Sequence, residues 1–337
     1  MLLLGPLPKQ DLPARATMVR METPTPLLLD VDTGVDDAIA LLLAVADPRA
    51  DLVAVSCCAG NVEAPQAGRN SLAVLELAGA DGVEVAVGSE APLAQPLRTA
   101  TSHGPGGLGY ARLPEPRSAP SPRFGPDAIV AEARRRPGQL LLVATGPLTN
   151  VALALRREPE LPRLLRRLAV MGGAFERPGN TTSAAEFNVG ADPEAASEVL
   201  AAFAGAATRP LVAGLNVTET VELDAPRIAS LGGGPVARFV ADALQVKLEA
   251  ADDGAHMHDP LALALALDPS LGTTRAARVE VVLAGARRGM TVADWRPRPD
   301  AAANADVAVG VDAERFLDLL VERLSALDAE RAGMSPL

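Results

Sequence analysis

Short runs that are apolar from end to end alternate with longer Ala- and Leu-rich stretches along this 337-residue chain. No other feature limits its fold more. The runs are 27–31 (LLLDV), 52–57 (LVAVSC), 83–87 (VEVAV), 139–144 (QLLLVA), 166–171 (RRLAVM) and 209–214 (RPLVAG). A strand with one wet face alternates apolar and polar residues, so unbroken apolar runs suit parallel strands covered on both faces. Helical stretches follow at 36–46, 64–79, 125–136, 149–157 and 192–204. Strand then helix, repeated, predicts an α/β fold: one open, mostly parallel sheet flanked by helices. In such a sheet ligands bind at the C-terminal ends of the strands. Beyond 222 the pattern gives helices 235–250 and 258–267, strands 278–283 and 305–309, and an amphipathic helix 312–327. Segments 91–123 and 172–187 read as long loops, a length that inside a compact domain goes with function or mobility. No composition break divides 27–337, which reads as one catalytic domain. The Pro-rich residues 1–26 read as a loose extension, with Met18 and Met21 as alternative starts.

Aromatic residues are only 2% of the chain, so the core is built from Ala, Leu and Val. So few aromatics also argue against a base-stacking surface for single strands. The net charge of −11 has the wrong sign for a polyanion binder. A small neutral ligand or a cation fits it better, although acidic charge also serves solubility. Neither nucleic acid nor membrane is expected as a partner; the opening MLLLGPL is too short to span a bilayer. Cys57 and Cys58 are adjacent and rarely bridge in that arrangement. They read as small buried hydrophobes of a reducing compartment, which predicts a cytoplasmic protein.

The strongest chemical signal is LLLDVDTGVDDAIALLLA. An apolar strand runs into Asp30-Val31-Asp32, and strand alternation puts both carboxylates on one side. Gly34 allows a tight turn before Asp36 and Asp37 open a helix. Capping of that helix accounts for one or two of the acids. It does not account for four, whose repulsion in a partly buried site is costly. A hard cation, Ca²⁺ or Mg²⁺, relieves that repulsion through oxygen ligands. Further polar groups close other predicted strands: Asn61, Thr145, Met171-Gly172-Gly173 and Asn216. Each alone is an ordinary loop residue; their shared position past parallel strands is informative. His258-Asp259-Pro260 precedes an Ala/Leu helix, where Asp259 could cap and Pro260 take the first position. His258 is one of three histidines, with His103 and His256, and His can act as a general acid near neutral pH.

These residues resemble the inosine-uridine type nucleoside hydrolases. The resemblance runs from about 27 to 327 through the stretch above and VSCCAGNVEAPQAGRNSLAVLELAG, TGPLTNVALAL, MGGAF, GNTTSAAEFNVGADPEAA, HDPLALALALDP, GMTVADW and VAVGVDAERFLDLLVERL. It implies a Rossmann-like sheet and hydrolysis of the N-glycosidic bond of a small-molecule ribonucleoside. It implies one Ca²⁺ per subunit on Asp32, Asp37, Asp259 and the Thr145 carbonyl, with Asp32 also the base that activates the metal-held water. By the same resemblance Asp36, Asn61, Asn180, Glu186 and Asn188 hold the ribose hydroxyls. His258 serves the leaving base, Phe187 and His103 belong to the substrate pocket, and the protein is a homodimer or homotetramer. One departure is visible: SHGPGGLGY keeps His103 of the family's HG-x-D-G loop but carries Gly106 where an acid is common, which bears on base preference.

Two other readings compete. The haloacid-dehalogenase-like phosphatases also begin with a strand and DxD, use Mg²⁺, and need a later Lys and acidic pair. Lys247 with Asp252-Asp253 is the formal candidate, but in VARFVADALQVKLEA this lysine reads as a solvated helix face. An inactive ribose- or metal-binding homologue is the other.

Overall fold

The structure is a computed structural model and describes residues 23–249, 254–297 and 302–333. Most of the N-terminal extension, and the Asp252-Asp253 pair, lie outside the described residues.

Eleven strands are present among the described residues: β1 (Thr25–Val31), β2 (Ala50–Cys57), β3 (Glu84–Val87), β4 (Leu140–Ala144), β5 (Leu165–Met171), β6 (Leu211–Ala213), β7 (Glu222–Leu223), β8 (Ala255–His256), β9 (Gly272–Val281), β10 (Thr291–Asp294) and β11 (Ala305–Val311). Nine form one sheet in the order β10-β9-β11-β6-β5-β4-β1-β2-β3, and β7 and β8 pair apart. From β3 to β11 the ladders are parallel; β9 and β10 add an antiparallel edge. The expected mostly parallel α/β sheet is therefore present.

The apolar runs are explained by burial on both faces. In β1, Leu27, Leu29 and Val31 join the larger core cluster while Leu28 joins the second. In β4, Leu141 and Val143 join the first, and Leu140, Leu142 and Ala144 the second. Alternate residues thus feed opposite layers, and every one must be apolar. The helix Val35–Ala46 is buried at each position from Val35 to Ala44, as befits a helix enclosed on all sides.

The topology fixes where a site can form. The chain proceeds β1, β2, β3 towards one edge, then returns to lay β4 on the other side of β1 and continues through β5 and β6. The order reverses between β1 and β4, where a crevice opens beyond the strand ends. Register brings the ends level: Asp30 lies opposite Ser56 on β2 and Ala144 on β4. The Thr145 amide donates to the Asp30 carbonyl at 2.9 Å and the Cys58 amide to that of Val31 at 2.8 Å. Residues after β1, β2 and β4 are thereby locked side by side.

Candidate active site

A cavity of about 380 Å³ lies over this crevice, lined in part by Asp36, Asn61, His103, Thr145, Lys247 and Asp259. That is within the usual size for a small-molecule site. Asp36 and Asp259 supply its acidic lining; Asp32 and Asp37 are not lining residues and join it through hydrogen bonds to Asn61 and Thr145. Asp32 Oδ2 accepts from the Asn61 amide at 2.6 Å and Oδ1 from Asn61 Nδ2 at 3.0 Å. Asp37 Oδ2 accepts from Asn61 Nδ2 at 3.1 Å and the Gly34 amide at 3.0 Å. Its Oδ1 accepts from Thr145 Oγ1 at 2.7 Å. Asn61, at the end of the β2 segment, therefore ties Asp32 to Asp37.

Close packing around these acids explains the glycines. Gly34 is extended rather than left-handed, so its turn does not require glycine. A Cβ there would instead overlap His103 and crowd Asn61 Nδ2 at 2.8 Å. A Cβ on Gly60 would overlap the Asp32 carboxylate.

Asp30 departs from expectation. Its Oδ1 accepts from Asn150 Nδ2 at 2.9 Å, and Asn150 also bridges to Ser56 at 3.0 Å. β1 ends at Val31, so strand alternation does not carry through to Asp32, and the Asp30 side chain bonds to Asn150 rather than to the cavity residues Asn61 and Thr145 that hold Asp32 and Asp37. Burial raises the Asp30 pKa to about 7. Asp259 takes the fourth place instead, in the first turn of the helix His258–Leu267.

The electrostatics are those of crowded carboxylates. Burial, then the charge of Asp37, pushes the Asp32 pKa well above the ordinary value. Burial, then Asp37, Asp36 and Asp32, does the same to Asp259. Asp36 goes the other way: burial opposes ionisation, but the Lys247 ammonium 3.2 Å from Oδ1, with His258 and His103, outweighs it and lowers the pKa. Burial lowers His103 and His258 to about 4, so both imidazoles are neutral at pH 7. His103 Nδ1 accepts from the Val35 amide at 3.0 Å, and His258 Nδ1 lies 2.8 Å from Thr218 Oγ1.

The other expected residues divide. Asn180, Phe187, Asn188 and His258 line the cavity. Asn180 Oδ1 accepts from the Phe187 amide at 2.9 Å, and Asn188 Nδ2 donates to the Thr145 carbonyl at 2.6 Å. Glu186 is not brought to the cavity lining. It caps the short helix Phe187–Ala191, accepting from the Asn188, Val189 and Gly173 amides. Asn216 stays away as well, with its Nδ2 on the Ala308 carbonyl at 2.8 Å. Lys247 is not a solvated helix face. Its side chain is 17% exposed and paired with Asp36. The sequence pattern weighed it only as a phosphatase lysine, although it is one of two lysines in a chain whose other basic residues are Arg and His. Thr99, Thr101 and Ser102 of the long 91–123 loop also line the cavity and had no distinguishing signal.

Asp32, Asp37, Asp259 and the Thr145 carbonyl together offer an all-oxygen donor set. Among the described residues no three His, Cys, Asp or Glu side chains already close round one point. The Asp37 oxygens are engaged by Gly34, Asn61 and Thr145.

Comparison with known proteins places the chain in a family. Residues 27–318 match the model of the inosine-uridine preferring nucleoside hydrolases. The chain belongs to that family. The nucleoside hydrolases split the N-glycosidic bond of ribonucleosides, and the family uses a metal ion. The chain is 40% identical over 311 residues to the pyrimidine-specific ribonucleoside hydrolase RihA of Citrobacter koseri, covering 89% of this chain and 98% of the relative. A plant nucleoside hydrolase, PpNRh1, superposes with a TM-score of 0.83 at 34% identity, covering 90% of this chain and 99% of the other. A purine-preferring ribonucleoside hydrolase from Gardnerella vaginalis gives 0.85 at 31% identity, covering 90% and 99%. Family membership removes the phosphatase alternative. Among the described residues no helix is long and apolar enough to cross a membrane.

Proposed function

We propose that this nucleoside hydrolase works with Ca²⁺ held by Asp32, Asp37, Asp259 and the Thr145 carbonyl, and that Asp32 is the base for the attacking water. The observation that carries the reading is the convergence of buried carboxylates at the reversal between β1 and β4. Burial and mutual repulsion drive Asp32 and Asp259 towards protonation, and a cation is what keeps such a set ionised. Hard oxygen donors of varied type suit Ca²⁺, which tolerates irregular geometry. When bound, the ion supplies positive charge that neutralises the acids and lowers the pKa of water.

The remaining steps belong to side chains of this chain. Asp32 takes a proton from water as its oxygen attacks C1′. The C1′–N bond breaks with its electron pair passing to the base, which leaves as an anion and takes its proton from solvent, and oxocarbenium charge on the sugar is stabilised by the nearby carboxylates. His258, neutral at pH 7, donates a hydrogen bond to the departing base rather than serving as an imidazolium. Asp36, Asn61, Asn180 and Asn188 hold the ribose hydroxyls, and Glu186 keeps Asn188 in place through its helix cap. His103 and Phe187 border the base. Cytoplasmic location, from the reading of Cys57 and Cys58, and a homodimer or homotetramer, from the resemblance, complete the proposal.

The relatives include both a pyrimidine-specific and a purine-preferring enzyme, so the test spans both. Inosine, uridine, cytidine, adenosine and nicotinamide riboside are incubated with the Ca²⁺-supplied protein and free ribose is measured. Release from at least one, lost on chelation and restored by Ca²⁺, is the expected result. Ribose binding without release from any of them overturns the reading.

A further inference from the structure

The ribohydrolase reading leaves one charged group in the cavity without a role. Lys247 comes from the helix Pro235–Leu248, far in sequence from the acidic turn. Its Nζ stands 3.2 Å from Asp36 Oδ1 and 3.4 Å from Oδ2. A lysine normally keeps its ammonium in water and lays only its stem on the protein. Here the head is turned inward, and confining so long a side chain costs rotamer freedom. Asp36 Oδ1 is buried and otherwise without a hydrogen bond among the described residues. The ammonium meets both oxygens and so fixes the plane of the carboxylate. A carboxylate has about four acceptor sites, so this pairing leaves others unfilled. Both residues line the same cavity, beside His103 and His258.

We propose that Lys247 is a positioning residue for sugar recognition: its ammonium holds the Asp36 carboxylate turned into the cavity, ready to accept from a ribose hydroxyl. The inference rests on the assignment of Asp36 to the ribose. It predicts that Lys247 acts through Asp36 and not on its own account.

The test is a double-mutant cycle with Lys247→Met, Asp36→Asn and the pair, with Lys247→Arg as the conservative variant and Ca²⁺ supplied throughout. Steady-state kinetics on the best ribonucleoside give KM and kcat, and calorimetric titration with ribose gives affinity without turnover. Lys247→Met is expected to raise KM and weaken ribose binding about 10-fold, the scale of one charge-assisted hydrogen bond, with less effect on kcat. Lys247→Arg should recover most of the loss. In the Asp36→Asn background Lys247→Met should add almost nothing, because residues acting as one unit are non-additive. Unchanged KM and ribose affinity in a folded Lys247→Met protein overturn the proposal, as do penalties that simply add. If the wild type releases no ribose from any nucleoside, the hydrolase reading fails while the ribose titration still decides this one. A wild type that releases ribose from a nucleoside but binds no free ribose overturns this proposal and leaves the hydrolase reading standing.

Discussion

Asn188 Nδ2 donates to the main-chain carbonyl of Thr145 at 2.6 Å. The same threonine gives its hydroxyl to Asp37, and Asp37 shares Asn61 with Asp32. One line of hydrogen bonds therefore runs from the loop after β5, across the end of β4, to the acids after β1. A carbonyl oxygen has two lone pairs, so the Thr145 carbonyl can keep Asn188 and still face a cation. The residues assigned to sugar and to metal are thus mechanically joined, and a change at one should be felt at the other.

The metal assignment is the first point to check. Asp37→Ala removes the acid that contacts Gly34, Asn61 and Thr145 at once. Metal content and activity should fall together, with affinity for Ca²⁺ reduced by more than about 100-fold, beyond what outer-shell partners contribute. Elemental analysis of the dialysed protein beside its specific activity measures both. Full activity in a metal-free preparation would sink the idea.

His258 is expected to assist departure of the base. Its imidazole is half-buried at the cavity, with a pKa lowered to about 4, so the neutral ring is expected to act as a hydrogen-bond donor. His258→Ala should reduce kcat on purine nucleosides by roughly 10²-fold, the lower end for losing one hydrogen-bond donor to developing negative charge. A p-nitrophenyl riboside, whose leaving group needs no proton, should be hardly affected. Equal losses on the two substrates would mark His258 as structural, held by Thr218.

Much of this molecule was legible in local pattern, and the failures have physical causes. The six apolar runs became β1 to β6 with small shifts at their ends, because burial on both faces leaves a signature in each residue. β9 starts at Gly272, not 278, since Thr273, Thr274, Arg275 and Ala276 are exposed on an antiparallel edge. The apolar-run criterion does not detect such a strand. The two-residue ladders β7 and β8 and the short β10 are likewise made by tertiary contact. In the site, Asp32, Asp36 and Asp37 were visible because six residues of sequence hold them together. Lys247 was misread because an amphipathic helix pattern distinguishes core from surface but does not say which other element lies against the polar face. Asp30 was misread because its strand ends one residue before Asp32.

His103 gives a stability prediction with a definite sign. It is 7% exposed, and its Nδ1 must be unprotonated to accept from the Val35 amide. Burial, then the Lys247 charge, lowers its pKa to about 4, partly offset by Asp36 and Asp37. In the unfolded chain a histidine titrates near ~6.5. Between those values the unfolded state binds the extra proton, so stability declines as pH falls from about 6.5 to about 4, by at most roughly 1.4 kcal/mol per unit for this group. His103→Gln should flatten that decline relative to wild type, though His258 shifts in the same direction and keeps part of it. Urea denaturation of both proteins across this range, with Ca²⁺ present, makes the comparison. Parallel curves would show that His103 is not a neutral buried group in solution.

Sugar selectivity tests the ribose side of the site. Asp36, Asn61, Asn180 and Asn188 present more polar groups to the cavity than a cation alone requires. A 2′-hydroxyl would satisfy some of them, and its absence would leave buried groups unpaired. Sites built in this way reject the analogue lacking the hydroxyl by roughly 10⁴–10⁵-fold in kcat/KM, whereas one neutral hydrogen bond is worth only about tenfold. The opposing interpretation is that Asn180 and Asn188 only brace their loop, since each already bonds to main chain at Phe187 and Thr145. Asparagine often does no more than that. The two interpretations diverge in one comparison, kcat/KM for uridine and 2′-deoxyuridine in wild type and Asn188→Ala. A ribose clamp predicts a large wild-type preference that shrinks in the variant, because uridine loses more than deoxyuridine. A loop brace predicts equal losses on both substrates. Wild-type protein that hydrolyses deoxyuridine as fast as uridine would return all four residues to a structural role.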